Sequence, residues 1–157
     1  MHDYLLSYLP YKSSFRFVDT ITAVDLTGVT GSYTLRPGAF FYEDHFEGNP
    51  VTPGVIITEI MAQIGLVVLG IYTILHGGEG AEIKGDEKVF PLLTSTEVSF
   101  YKMVLPGQTV TVVSKREYFR FGKLKCYVEM LDGSNELIAR GTFAGIIKKA
   151  DIKDTLL

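Results

Sequence analysis

The residues best suited to chemistry lie close together in the chain. His45 sits in an aromatic, turn-rich run over residues 39–53 (AFFYEDHFEGNPVTP), and Glu59 and Gln63 are polar intruders in the apolar run that follows. An imidazole exchanges protons near neutral pH. A helix starting at Pro53 presents unpaired backbone N–H groups and the positive end of its dipole at Gly54, which suits a substrate oxygen that becomes negative during reaction. Glu59 and Gln63 are four apart and share one helical face. Glu59 lies about 7.5 Å along the axis from Gly54, within reach of the same cavity. Desolvation among apolar neighbours raises a carboxyl pKa, so such a Glu holds its proton. A protonated carboxyl near a neutral imidazole is a workable acid–base pair. Phe46, Pro53 and Val55 flank these groups as substrate-binding candidates.

Each feature alone has a blander reading. A lone loop histidine is usually a surface or hydrogen-bonded residue, a Glu near a helix start complements the dipole, and Gln63 serves equally as a hydrogen-bonding group at an interface. His76 falls in the expected last helical turn, where a cation favours the dipole, and is read as structural.

The elements that must position these groups follow from periodicity and turn signals. Residues 1–14 read as a lead-in. Alternation over 15–24 predicts a first strand and 29–35 a second, with a turn at 25–28. Thr52 is placed to cap a helix with Pro53 at its first position, running to about residue 76 and closed by His76-Gly77-Gly78. The glycine-rich run 77–88 reads as a mobile surface loop. Strands are expected over 89–101, 109–119, 124–131 and 137–148, with turns at Gly107 and Asp132-Gly133. This is an α+β pattern with one long apolar helix, which an antiparallel sheet must surround. Gly65 and Gly70 lie inside that helix, where each costs about 1 kcal/mol relative to Ala, and close approach of the sheet or a partner helix accounts for them.

Bulk properties narrow the field. The chain of 157 residues is 46% hydrophobic and 21% charged, with net charge -3: one domain over 1–157, with enough core to need no disulfide, and no basic face for nucleic acid. Cys126, the single cysteine, reads as a packed strand residue. The uncharged run over 60–75 is shorter than the ~20 residues of a membrane span, so a buried core helix is expected rather than a span. No basic start with an apolar h-region marks a signal peptide, and a cytoplasmic location is the expectation.

The stretch HFEGNPVTPGVIITEIMAQIG, residues 45–65, resembles the motif of the β-hydroxyacyl-acyl carrier protein dehydratases, roughly H-F-x-G-x-P-V-x-P-G-V-x-x-x-E-x-M-A-Q. Leu9-Pro10, Phe15 and Val18-Asp19 are similar to that family's opening motif, and Phe100, Lys102 and Leu105-Pro106-Gly107 to its later F-x-K-x-x-x-P-G stretch. The resemblance implies a hotdog fold and a homo-oligomer of at least two subunits. It also implies an acyl carrier protein or coenzyme A thioester as substrate, and neither metal nor organic cofactor. His45 would take the proton beside the thioester carbonyl, and Glu59, often from the other subunit, would protonate or orient the departing hydroxyl. The Gly54 amide would hold the carbonyl oxygen, and Gln63 would position Glu59 or a water. The chain departs from the family at Tyr11 (usually His), Ser14 (usually Pro), Glu47 (often Pro) and Thr52 (often Met). These departures spare the acid–base pair and leave the substrate open between fatty acid synthesis and a polyketide, pigment or polyene branch. A hotdog acyl thioesterase and a non-catalytic acyl-binding subunit are the rival readings.

Overall fold

The computed structural model describes residues 2–77, 83 and 89–148. Six antiparallel strands form one sheet: β1 (Thr20–Asp25), β2 (Gly28–Thr34), β3 (Phe90–Phe100), β4 (Thr109–Arg120), β5 (Lys123–Leu131) and β6 (Leu137–Lys148). Their order across the sheet is β1-β2-β4-β5-β6-β3, so β1 and β3 are the edges. The helix α1 (Gly54–His76) is inserted in sequence between β2 and β3. It is 23 residues long with mean hydropathy 2.1, yet 78% of its apolar window is buried inside the protein. A helix wrapped by an antiparallel sheet is the hotdog arrangement that the sequence implies.

The sheet turns one face to α1. Residues of β2 and β5 alternate between buried and partly exposed along their whole length, the period of a strand with one covered face. Val110 and Val112 of β4, Cys126, Val128 and Met130 of β5, and Phe143 of β6 close on Ile60, Ile64 and Val68 of the helix in one core. Burial pushes the Cys126 thiol up to about 11, as expected of an inert packed cysteine.

At Gly65 the sheet comes close against the helix. A Cβ there would stand 2.8 and 2.9 Å from the two methyls of Val128. Gly70 faces Ile147 in the same way, at 3.0 Å. The middle of the helix, Gln63–Val68, is wound as a π-helix, and the Ser114 hydroxyl of β4 donates to the Gly65 carbonyl at 2.8 Å. The glycines are therefore explained by packing of the sheet, one of the two expected causes.

Some details differ from the sequence reading. The first strand starts at Thr20, not at residue 15, because 15–17 is instead held by the helix, and Ser13–Phe15 is a 3-10 turn. Within the lead-in, Asp3–Tyr8 forms a 3-10 helix whose Leu5 is fully buried. Pro53 is the N-cap rather than the first helical residue, and no side chain caps the helix. Thr52 turns inward and shares a hydrogen bond of 2.6 Å with the buried Tyr42 hydroxyl. The run expected to be a mobile loop, 77–88, lies outside the described residues except for Gly77 and Ile83.

Replacing Gly65 by Ala is expected to destabilise the protein by about 1–3 kcal/mol through overpacking against Val128, reversing the usual helical preference for Ala of about 1 kcal/mol. Urea unfolding measures this as a lowered midpoint. Combining the change with Val128→Ala should cost less than the two single losses added together.

Candidate active site

The loop before α1 is built by its own backbone. Phe46 N–H donates to the Asn49 carbonyl and Asn49 N–H to that of Phe46, both at 2.9 Å, while Val51 N–H donates to the His45 carbonyl at 2.9 Å. Gly48 takes φ +69 within this turn, a conformation that favours glycine. The result is a tight turn over 45–51 that returns Val51 beside His45. The His45–Phe46 peptide bond is cis.

That return orients the imidazole. His45 Nδ1 lies 2.8 Å from the Val51 carbonyl. A carbonyl oxygen only accepts, so Nδ1 carries the hydrogen and, in the neutral ring, Nε2 keeps its lone pair. The Phe46 ring stacks on the imidazole at 4.0 Å between centroids, itself 58% exposed. The sequence offered no signal for Val51, because its contribution is a backbone oxygen.

Immediately after the turn, Thr52 N–H is taken by the Val104 carbonyl, and Pro53 accepts from Ile56 and Ile57. The N–H groups of Gly54 and Val55 have no acceptor among the described residues. They are the donors that a helix start leaves open, and both residues are exposed.

Glu59 lies in a different setting. It is half-buried, and burial raises its carboxyl above the ordinary range, partly offset by the hydrogen bond that Gln63 donates. Gln63 is fully buried and spends its amide three ways. Its Nε2 donates to Glu59 Oε1 and to the Phe15 carbonyl, each at 2.9 Å, and its Oε1 accepts from Phe17 N–H at 2.8 Å. One amide thus ties the segment after the lead-in to the helix and holds Glu59 in place. Its position beside Glu59 was legible from the spacing; its grip on 15–17 was not.

Glu59 lines a cavity of about 70 Å³. Its helical wall is Glu59, Leu66, Val67 and Gly70, one face of α1 about 16 Å long. The opposite wall comes from the starts of β3 and β5, the end of β6 and Phe119 of β4, all apolar. Tyr11 is the other polar side chain in the lining, and sequence reasoning marked it only as a departure from the family pattern. The cavity is therefore an apolar slot with a carboxyl near one end.

Within one chain the structure does not unite all the expected site residues. Glu59 and Gln63 are bonded, and His45, Phe46, Pro53, Gly54 and Val55 follow one another along the loop and helix start. His45 does not line the Glu59 cavity, and no hydrogen bond joins the two. His76 accepts or donates at Tyr4, Nε2 to hydroxyl oxygen 2.9 Å, a structural contact as read. Lys102 pairs with Asp132 and Glu136 at the β5–β6 turn, so it stabilises that turn rather than the site.

Comparison with known proteins agrees with the motif. The family model of the FabA-like domain matches residues 9–134. The 3-hydroxyacyl-[acyl-carrier-protein] dehydratase FabZ of Caldicellulosiruptor saccharolyticus is 30% identical over 152 residues, covering 92% of this chain and 96% of that protein. Among solved structures, the dehydratase heterocomplex ApeI:P of Xenorhabdus doucetiae superposes with TM-score 0.69 at 17% identity, over 90% of this chain and 89% of that one. A hypothetical thioesterase of Streptococcus pneumoniae with coenzyme A superposes with TM-score 0.58 at 10% identity, over 83% and 85%. At such identities these likenesses show the fold alone. The motif from His45 to Gln63, the opening segment around Val18-Asp19 and the match over most of its length together make this chain a member of the FabA-like domain family.

Proposed function

We propose that the protein is a 3-hydroxyacyl-[acyl-carrier-protein] dehydratase, which removes water from a β-hydroxyacyl thioester to give the 2-enoyl thioester. Family membership and the 30% identity to a FabZ dehydratase support the reaction. The observation that carries it is the carboxyl of Glu59, raised by burial and tied by Gln63 at the polar end of an apolar slot. An acyl chain fits such a slot, and a carboxyl kept protonated can deliver a proton to a leaving hydroxyl.

In this reading His45 Nε2 takes the proton from the carbon next to the thioester carbonyl. The electron pair left behind forms the new double bond as the hydroxyl departs, and that hydroxyl leaves as water with the proton of Glu59. The carbonyl oxygen gains enolate character in between, and the free N–H groups of Gly54 and Val55 stabilise it. His45 ends protonated and Glu59 ionised, and proton transfer back between them, through solvent or product water, resets the pair.

The site is completed by a second subunit. His45 and Glu59 do not share a cavity within the chain. The outer edge of β3 is unpaired in the sheet, and Phe100, Tyr101, Met103 and Val55 are exposed beside it. An open strand edge with a cluster of exposed apolar side chains is the kind of surface a two-fold partner covers. A buried hydroxyl at the β3 bulge, Thr94 Oγ1, also lacks a hydrogen bond among the described residues.

Glu59→Gln is expected to keep the fold and lose about 10²–10⁴-fold in turnover, since it deletes the transferable proton and little else. Mass spectrometry of a β-hydroxyacyl thioester on acyl carrier protein reads the loss of one water with the carrier still attached. Free thiol formed in step with substrate loss would show a thioesterase instead. His45→Ala should abolish both dehydration and hydration of the enoyl thioester.

Mixing subunits carrying His45→Ala with subunits carrying Glu59→Gln should restore activity, because a mixed dimer holds one intact site with His45 from one subunit and Glu59 from the other. If the mixture stays as inactive as its parents while exchange of subunits is confirmed by native mass spectrometry, the shared site is wrong.

A further inference from the structure

Tyr11 is brought to Glu59 by a chain of contacts that starts at Gln63. The amide of Gln63 fixes the backbone at Phe15 and Phe17. From there the rings of Phe17, Phe15 and Tyr11 pack in succession, with centroids 5.0 and 6.2 Å apart. Tyr11 is half-buried and lines the cavity beside Glu59, and no hydrogen bond to its hydroxyl is made among the described residues. Tyr11 and Glu59 are the titratable groups in the lining, while Lys12 and Arg16 of the same segment are exposed. Burial, with the Glu59 carboxylate adding to it, pushes the Tyr11 phenol far above its ordinary range. The phenol therefore stays neutral and neither gives nor takes a proton at working pH. What it contributes at Glu59 is the body of its ring.

Resting on the dehydratase reading, we propose that Tyr11 is a positioning residue for the acid: its ring walls the polar end of the slot and excludes water from Glu59. A carboxyl stays protonated at higher pH when it is desolvated, and it acts as an acid only while protonated. The sign follows directly. Activity that needs protonated Glu59 is lost as pH rises through its folded-state pKa, so admitting water lowers that pKa and moves the loss to lower pH.

The test is the pH profile of kcat/KM for dehydration by the full chain. Tyr11→Ala is expected to move the alkaline limb down by on the order of one pH unit, about a tenfold loss of rate on that limb. Tyr11→Phe keeps the ring and should move it less. Tyr11→Val, a milder truncation, should fall between them and serves if Tyr11→Ala does not fold. Titration of the protonated carboxyl by infrared difference, using Glu59→Gln to assign the band, should show the same order without any turnover. A limb and a band unmoved in Tyr11→Ala and Tyr11→Val would overturn the proposal, as would Tyr11→Phe shifting both as far as the truncations. If the wild type failed to dehydrate any β-hydroxyacyl thioester while the band still shifted, the dehydratase reading would fall and the role of Tyr11 would stand.

Discussion

Helix α1 is too apolar to face water, and the rest of the molecule is arranged around hiding it. Burial of apolar surface contributes about 25 cal/mol per Å², and the helix provides fully buried Ile60, Met61, Ile64, Leu69 and Ile71. The sheet can come close enough only because Gly65 leaves room for Val128. The strands therefore curve about one helix, and their two ends are left as the edges β1 and β3. The slot beside Glu59 is the space between the helix and the strands farthest from β1.

The same burial that stabilises the fold sets the chemistry. Glu59 is on the helix and inherits its dry surroundings, so its carboxyl is raised, and Gln63 supplies the hydrogen bond that a polar group needs there. His45 lies in a self-bonded loop outside that slot, oriented by a backbone carbonyl. The two titratable groups thus sit in unlike environments, a half-buried carboxyl on the helix and an imidazole in the loop, a division made by where the chain places each residue.

Fold and function separate cleanly in this protein. A hypothetical thioesterase and a dehydratase heterocomplex both superpose on it at low identity, and a fold of this kind does not by itself choose a reaction. What distinguishes it is the motif at the start of α1, with a histidine, an open helix terminus and a carboxyl at set spacing. The slot itself is apolar, with Glu59 and Tyr11 as the polar side chains in its lining.

Read without coordinates, the chain determined its element order, the bounds of β4, β5 and β6 to within a residue, the extent of α1 and the pairing of Glu59 with Gln63. These rest on periods of two and of 3.6 residues, which are local properties. Tertiary contacts decided the rest. Residues 15–17 alternate like a strand, yet the Gln63 amide claims their backbone. Thr52 has the makings of a helix cap, yet its hydroxyl is taken by Tyr42, ten residues away in the loop. His45 is oriented by an oxygen that no side-chain pattern reveals, and Tyr11 reaches Glu59 from 48 positions earlier in the chain. Some of these contacts are long-range, as from Gln63 to residues 15–17 and from Tyr11 to the Glu59 cavity, and others lie within one loop, but all of them depend on how the folded chain turns back on itself, which spacing does not show.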